Sequence, residues 1–457
     1  MDIESNLSGC CRARVLLVGY HVSAGKPIHV WRPVRDAPAG IDYHVRSVVR
    51  AALVVLCTWS SLFCAPGGGT PMRQGFKVFD SDTHLAPNFE TLEPYFDANT
   101  RKRIPEWEEF KVPFRVGWSG EILEPPYGHR LQFKKRSGWR QKLRVLGEAG
   151  PREEAKRHHP KFMGSRFPSP GVSDENFEAR IRDMDEEGVD VQLMLPPAPP
   201  PSDDVDIELG FIRAGHRFCN DFCGKYPHRL KTLIVVSNKA VDASVAEIKT
   251  WAKAPWVAGI YPHLDEGFPI DHPDLEPIWA AANEAGLCVA HHSFTEGFPG
   301  YRDLWDNPFL GRSASHPWAA MRAMAAFFGA GIMERYPNIR YCVLESGFGW
   351  LPFWAARMDD QCEYISYALP ESMTRKPSEY LANGRFFASV VIHEGEKMAR
   401  MVTDYLGDGL LMYSSDYPHP ESRFPGSIDV VLAWKSLGDE VMRKMLWDNA
   451  VKCFGEP

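Results

Sequence analysis

Metal-binding side chains stand just after the first strand-like segment of this 457-residue sequence. Asp82 and His84 lie two residues apart, immediately beyond the apolar segment 76–80. Because side chains on an extended strand alternate between its two sides, both residues point the same way, and each can donate one ligand to the same ion. A capping Asp beside a loop His gives the same pattern without any ion, so this pair alone is weak evidence.

Other strand-like segments end in residues of the same kind. These are His292 after 287–291, Glu345 after 340–344, His393 after 386–392, Asp416 after 410–415, and His419 just beyond. Asp82, His84, His292 and Asp416 together offer two carboxylates and two imidazoles, which suit Zn²⁺, Mn²⁺ or Fe²⁺ with a water completing the shell. We therefore predict one divalent metal ion held by these four residues, with zinc as the first expectation and manganese or iron as alternatives.

The adjacent residues His291 and His292 face opposite sides of their strand, so only one of them can reach the ion. His291 shares its side with the bulky residues Leu287 and Val289, as expected of a side that packs against helices. His292 shares its side with the smaller Cys288 and Ala290, which suit a crowded barrel interior. We therefore choose His292 as the ligand and expect His291 to be packed or to support the site indirectly.

Eight short β-rich segments recur along the chain and are separated by helix-like stretches. They are 76–80, 189–195, 230–236, 257–261, 287–292, 340–345, 386–392 and 410–416. Most are continuous apolar runs, which is typical of parallel strands that are buried on both faces. Eight strand–helix units predict a (β/α)8 TIM barrel, with its catalytic groups at the carboxyl-terminal strand ends. The alternative, a doubly wound open sheet, lacks a Gly-rich phosphate turn after the first strand.

The barrel domain is predicted to span 72–457, which is longer than the roughly 250 residues that a barrel needs. The surplus lies mainly at about 92–173, after the first strand, and predicts an insertion or lid over the site, or a solvated loop. Residues 1–71 lack a periodic pattern, and their apolar run at 51–65 is short for a membrane span and late for a signal sequence. We expect an N-terminal extension that is disordered, with a targeting role as the alternative.

The charge and the cysteine content limit which kinds of partner and which compartment we expect. The formal net charge is −7 and the sequence pI is about 6.2, so nothing pulls the chain generally toward nucleic acid or anionic lipid. We expect a small-molecule substrate, with neither nucleic acid nor membrane as a partner. Ten cysteines form no tight framework, which suits a reducing, cytoplasmic compartment. Cys219 and Cys223 could be half of a metal site, but two thiols on one helix face explain the spacing better.

Three motifs together resemble a known family. They are FDSDTH at 79–84, LESGFGW at 344–350 and SSDYPH at 414–419. The combination resembles the amidohydrolase-related family, in the branch that includes aminocarboxymuconate semialdehyde decarboxylase and the resorcylate and carboxyvanillate decarboxylases. The resemblance covers about 75–454 and implies a metal-bearing (β/α)8 barrel, with Asp82, His84, His292 and Asp416 as ligands. It also implies a homodimer, because related barrels commonly dimerise.

The sequence departs from those decarboxylases at the end of the sixth strand. They carry a His at this place, where this chain has Glu345. An ionised carboxylate there would repel a substrate carboxylate, whereas a carboxyl group with a raised pKa could act as an acid. Glu345 could also be a structural group that orients a ligand or caps a loop.

The leading hypothesis is a metal-dependent, amidohydrolase-like enzyme that hydrolyses a small cyclic or aromatic substrate. A bound metal ion lowers the pKa of its water toward ~7. Asp416, oriented by His419, would take the proton, and Glu345 would pass it to the leaving group. The alternative is a carboxy-lyase that decarboxylates an aromatic or dienoic acid without oxidation, with a protein acid protonating the carbon. An intact ligand set argues against a third hypothesis, a catalytically silent scaffold.

Three further residues are candidate substrate contacts. His263 and His316 lie near predicted strand-end loops and could touch the substrate, although each could equally be a surface or loop residue. Arg357 follows the LESGFGW motif on a predicted helix. It could hold a substrate anion or form an ion pair with Asp359.

Overall fold

The computed structural model describes residues 73–113, 115–116, 121–122, 128–133, 176–265, 267–292 and 308–457. Eight parallel strands form one sheet, and they neighbour each other in sequence order. We number them β1 to β8: Phe79–His84, Val191–Leu195, Leu230–Ser237, Val257–His263, Cys288–His292, Arg340–Leu344, Phe386–Ser389 and Leu411–Met412. Each matches one of the eight strands predicted from the apolar runs.

The sheet closes where the chain beyond β8 returns to β1. The N–H of Ser81 donates to the carbonyl of Tyr413 at 2.9 Å, and that of His84 donates to Tyr417 at 2.8 Å. In the other direction, the N–H of Asp416 donates to the carbonyl of Asp82 at 2.9 Å. A nearly closed (β/α)8 barrel is therefore confirmed, and the doubly wound open sheet is excluded.

Burial on both faces explains the continuous apolar runs. Every residue of β2 and of β5 is buried. One side of β5 carries Cys288 and Ala290, which pack with Leu233 and Leu344 in the barrel interior. The other side carries Val289, which packs in the larger core between the sheet and the helices. The side-chain parity predicted for this strand therefore holds.

Helices lie between the strands and cover them. The longer ones are Phe177–Glu187, Val205–Cys223, Val241–Trp251, Glu276–Ala285, Pro308–Gly329, Leu351–Tyr364 and Glu396–Leu406. The shorter ones are Phe89–Leu92, Ala98–Arg103, Ile332–Arg335, Pro377–Ala382, Ser427–Leu432, Gly438–Arg443 and Asn449–Phe454. Gly188 and Gly286 end their helices in the left-handed conformation, which glycine adopts without a steric penalty.

The segment after β1 leaves the barrel before the chain reaches β2. Its strand Lys111–Pro113 pairs antiparallel with His129–Leu131. The short strands Arg115–Val116 and Glu121–Ile122 form a second antiparallel pair. Buried Trp107 holds the segment against the barrel by packing on Phe211 of the helix Val205–Cys223, with ring centroids 5.7 Å apart. The insertion at 92–173 stays a prediction, because 134–175 lie outside the described residues.

Two other expectations concern the N-terminal extension and membrane-spanning helices. The N-terminal extension at 1–71 lies outside the described residues. Among the described helices, none is both long and apolar enough to cross a membrane.

A substitution of Gly259 tests how tightly the barrel interior is packed. A Cβ added at this position in β4 would lie 2.5 Å from the carbonyl oxygen of Cys288 on β5. Backbone cannot move aside as a side chain can, so Gly259→Ala should lower the free energy of unfolding by about 2 kcal/mol. Thermal and urea unfolding would measure the loss.

Gly329→Ala is the matched control, because it ends a helix with open space around its Cβ position. It should leave stability unchanged or raise it slightly, since alanine favours helix. Equal stability of the two variants would contradict the packing described here.

Candidate active site

Six polar side chains meet at the carboxyl-terminal end of the barrel. They are Asp82 and His84 on β1, His292 on β5, Glu345 after β6, and Asp416 and His419 after β8. The structure therefore brings together all four predicted metal ligands and the three predicted catalytic residues.

Asp82 has the least compensated charge of this cluster. It is fully buried, and neither of its carboxylate oxygens accepts a hydrogen bond. Its Oδ1 lies 3.6 Å from Nε2 of His292 and 3.9 Å from Nε2 of His84. Burial raises the pKa of Asp82 well above its ordinary value, and the nearby carboxylates of Asp416 and Glu345 raise it further. A buried carboxylate without donors is costly, and a bound cation would remove that cost.

His84, Asp416 and His419 form a hydrogen-bonded chain. Nε2 of His84 lies 2.8 Å from Oδ1 of Asp416, and Nδ1 of His419 lies 3.1 Å from Oδ2 of the same carboxylate. The two imidazole rings stack, with centroids 4.4 Å apart and planes within 4° of parallel. Asp416 is therefore held from both sides.

The charges of His84, Asp416 and His419 shift one another's pKa values. Burial acts to raise the pKa of Asp416, but the positive charge of His419 and the hydrogen bonds from both histidines outweigh it and lower the pKa. Burial acts to lower the pKa of His419, but the charge and hydrogen bond of Asp416 raise it to about 9. The His84 pKa is lowered by burial and by the charge of His419.

His292 lies against a second carboxylate. Its Nε2 is 2.9 Å from Oε2 of Glu345, and its ring meets that of His84 edge-on at 5.2 Å between centroids. Burial acts to lower the His292 pKa, but the charges of Asp82 and Glu345 raise it to about 10. A metal ion at the same place would displace that proton, as metal ions do from imidazole ligands.

The backbone is strained at two of these positions. Glu345 has a φ of 45° and Asp416 a φ of 64°, in the left-handed region that residues with a Cβ adopt at a cost of about 1–3 kcal/mol. The N–H of Glu345 donates to Oγ of Ser389 at 2.9 Å, and that of Asp416 donates to the carbonyl of Asp82 at 2.9 Å. These bonds fix the strained turns that aim both carboxylates into the site.

Asp80 and Ser415 support the site from below, and sequence reasoning assigned no role to either. The N–H of Ser415 donates to Oδ1 of Asp80 at 2.9 Å, and its hydroxyl donates to Oδ2. Burial raises the pKa of Asp80 to about 7. The pair joins β1 to the segment after β8, directly behind Asp82 and Asp416.

The donor atoms fit a divalent metal ion. Those of Asp82, His84 and His292 lie within 4.8 Å of one another, as do those of His84, Asp416 and His419. Imidazole and carboxylate donors suit Zn²⁺, Mn²⁺ and Fe²⁺. The buried carboxylate of Asp82, which accepts no hydrogen bond, is the observation that favours a cation here.

A cavity of about 430 Å³ opens beside the cluster. His84 and His292 lie on its wall together with Tyr261, and Arg130 and Gln132 reach it from the segment after β1. The proline-rich loop 196–201 after β2 forms another side. Sequence reasoning missed Arg130 and this loop, although its position after a barrel strand was a usable signal.

The three predicted substrate contacts are less well supported by geometry. His263 is the last residue of β4 and is half-buried. His316 lies in the helix Pro308–Gly329, but its side chain is outside the described residues. The guanidinium of Arg357 is 53% exposed and lies 3.4 Å from Asp360, whereas Asp359 accepts bonds from Ser378. The ion pair is thus with Asp360, and the roles in substrate binding stay predictions.

Fold and site together define a (β/α)8-barrel enzyme with a candidate divalent-metal centre at the carboxyl end of its strands. The chain belongs to the amidohydrolase family, because the model of that family matches residues 79–455. The match confirms the family resemblance of the three sequence motifs.

Solved structures with the same fold cover most of this chain. A 5-carboxyvanillate decarboxylase from Novosphingobium aromaticivorans with bound manganese is 19% identical, with a TM-score of 0.58 over 84% of this chain and 99% of its own. An amidohydrolase from Mycobacterium avium subsp. paratuberculosis is 17% identical, with a TM-score of 0.59 over 83% and 100%. A 2,6-dihydroxybenzoate decarboxylase from Rhizobium is 17% identical, with a TM-score of 0.52 over 60% and 87%.

Asp82→Asn tests the metal centre. It keeps the shape of the side chain but removes the buried negative charge, so Mn²⁺ should bind at least about tenfold more weakly. Titration of the metal-stripped protein with Mn²⁺, followed by electron paramagnetic resonance, would measure the affinity.

The surface variant Asp360→Asn is the control, because its side chain is 68% exposed. Unaltered Mn²⁺ affinity in a folded Asp82→Asn protein would show that Asp82 is not a ligand.

Proposed function

We propose that this enzyme is a metal-dependent carboxy-lyase that removes CO2 from an aromatic acid without oxidation. This is the alternative of the sequence analysis, and the neighbouring decarboxylases favour it over hydrolysis. The observation that carries the proposal is a cavity with apolar walls beside the carboxylate–imidazole cluster and with Arg130 on its lining. An aromatic acid is flat and apolar with an anionic group, and it matches such a lining.

The apolar part of the cavity suits a ring. Phe89, Phe211 and Tyr261 line it together with the loop 196–201. Aromatic and proline side chains present flat surfaces, and a planar substrate can pack closely against them. The polar residues at the two ends of the cavity then determine which substituent of the substrate ring faces the carboxylate–imidazole cluster.

Positive charge is available both for the substrate anion and for the carboxylate of Glu345. Arg130 lies exposed on the segment after β1 and offers a planar donor fork to a carboxylate. Glu345 lies 2.9 Å from the imidazole of His292, a proposed metal ligand, so a divalent ion held there would offset its charge. The repulsion expected from a carboxylate at the end of β6 is thereby reduced, so Glu345 does not argue against an anionic substrate.

The proton that replaces CO2 has a source in the chain. Nδ1 of His419 and Oδ2 of Asp416 are 3.1 Å apart, so a protonated His419 would donate this hydrogen bond and could supply that proton. In the proposed reaction, that proton moves to the ring carbon as the bond to the carboxylate carbon breaks and CO2 leaves. Solvent then returns a proton to the pair, so the reaction needs neither oxidant nor reductant.

Asp82, His84, His292 and Asp416 would hold the metal ion. When bound, such an ion withdraws electron density from the substrate and orients its oxygen atoms. The imidazoles favour zinc as the first choice, and manganese is the alternative because the Novosphingobium enzyme holds it. A cytoplasmic location and a homodimer remain parts of the proposal that rest on cysteine usage and on family resemblance.

Isotope incorporation tests the reaction type. The metal-loaded enzyme is incubated in D2O with a panel of hydroxylated aromatic acids, and also in H2¹⁸O with aromatic amides and lactones. We expect CO2 release and one deuterium on the carbon that lost the carboxylate, detected by mass spectrometry. Oxygen-18 in the product without CO2 release would instead establish hydrolysis.

Arg130→Gln tests the anion contact in the cavity. Loss of the guanidinium should raise KM about tenfold or more and change kcat less, because Arg130 is proposed to bind the substrate anion and donates no proton to the ring carbon. Arg130→Lys should recover part of the loss, since it keeps the charge without the planar fork.

Arg400→Gln is the matched control, since Arg400 forms an ion pair with Asp404 on an exposed helix face. An Arg130→Gln enzyme with the KM of the wild type would remove Arg130 from the substrate site.

A further inference from the structure

Three cysteines meet inside the barrel. Cys288 is the first residue of β5, Cys342 lies in the middle of β6, and Cys453 belongs to the last helix, Asn449–Phe454. Sγ of Cys288 lies 3.6 Å from Sγ of Cys342 and 3.4 Å from Sγ of Cys453. All three side chains are fully buried. Cys288 and Cys342 precede, on their strands, the residues that face the candidate active site, and Cys453 lies on a different element, so the three cysteines form a separate group.

The fold holds these sulfurs rigidly. β5 and β6 are paired neighbours, with Arg340 opposite Cys288 and Cys342 opposite Ala290. Phe454 of the last helix packs on Phe79 of β1, with ring centroids 5.9 Å apart. The sulfurs therefore lie in the apolar interior of the barrel, where they share one cluster with residues of most strands.

The spacing of the sulfurs fits coordination of one ion. A disulfide needs about 2.05 Å between sulfurs, so the observed distances of 3.4 and 3.6 Å are non-bonded. Thiolates at about 2.3 Å from a shared metal ion stand about 3.8 Å apart at tetrahedral angles. All three ligand atoms lie within 4.8 Å of one another, so a shift of a few tenths of an ångström would accommodate an ion.

The local charges also fit. Arg340 is held beside the cluster by donating Nε–H to the carbonyl of Cys453 and Nη2–H to that of Gly286. Burial raises the pKa values of Cys342 and Cys453 well above the ordinary value, whereas hydrogen bonds from these two thiols and the charge of Arg340 outweigh burial at Cys288 and lower its pKa. Three thiolates with Zn²⁺, or two thiolates and one thiol with Cu⁺, carry a net charge of −1, which the guanidinium balances. Buried charge is tolerated when it is compensated in this way.

We propose that Cys288, Cys342 and Cys453 form a second, structural metal site for a thiophilic d¹⁰ cation, Zn²⁺ or Cu⁺. Thiolate ligands select such soft ions, whereas the carboxylates at the carboxyl end of the barrel suit harder ones. The ion would tie the last helix to β5 and β6. Because the sulfurs are buried, it is acquired as the chain folds and exchanges slowly afterwards.

X-ray absorption on the full chain tests the proposal. The wild-type protein is produced with added Zn²⁺, or with Cu⁺ under anaerobic conditions, and the spectrum is recorded at the edge of the bound metal. We expect sulfur scatterers at about 2.3 Å for at least one of the two ions. Only nitrogen and oxygen ligands for both ions, or a disulfide found by mass spectrometry, would overturn the proposal.

Variants identify the ligands. Cys342→Ser and Cys453→Ser should each lower sulfur-bound metal at least tenfold, measured as metal content together with the sulfur signal. Cys223→Ser is the matched control, because Cys223 is an equally buried cysteine on another helix and forms no disulfide. Equal loss in all three variants, or none, would overturn the assignment, and the wild-type spectrum decides if a variant fails to fold.

Discussion

The contact between β1 and the segment after β8 closes the barrel and builds the site in the same step. Backbone hydrogen bonds join Ser81 to Tyr413 and Asp416 to Asp82, and Asp80 bonds to Ser415 directly behind them. His84 and Asp416 are 332 positions apart in sequence, yet their side chains lie within hydrogen-bond distance. Any change that opens this seam would therefore separate the ligands as well as the strands.

The cluster of charges at the carboxyl end is a functional feature that stability alone does not explain. Three carboxylates and three imidazoles are packed together, and Glu345 and Asp416 also adopt strained backbone conformations. Replacing such groups with apolar residues is often neutral or stabilising. Strain and buried charge concentrate at sites where geometry serves chemistry. The buried carboxylate of Asp82 accepts no hydrogen bond, and a bound cation would compensate its charge.

The strands and the positions of the candidate ligands could be predicted from sequence because both follow local rules. Continuous apolar runs are typical of strands buried on both faces, and side-chain parity placed His292 on the inner side of β5. The run 410–416 shows the limit of these local rules. Only Leu411–Met412 has strand geometry, and the N–H of Asp416 donates to the carbonyl of Asp82 on β1. Arg130 was missed for a similar reason, because it reaches the cavity only through the fold of the segment after β1.

The two clusters of metal-binding residues differ in chemistry, and the barrel keeps them apart. The imidazoles of His84 and His292 line a cavity, so an ion held by them and the neighbouring carboxylates could exchange and contact a substrate. The three thiols are fully buried among apolar side chains, so an ion there would be shielded from substrate and solvent. The soft thiol of Cys288 and the borderline imidazole of His292 thus lie at opposite ends of the same strand, β5. A single ion species in the medium would fill the two sites at different rates, since one is open and the other closes as the chain folds.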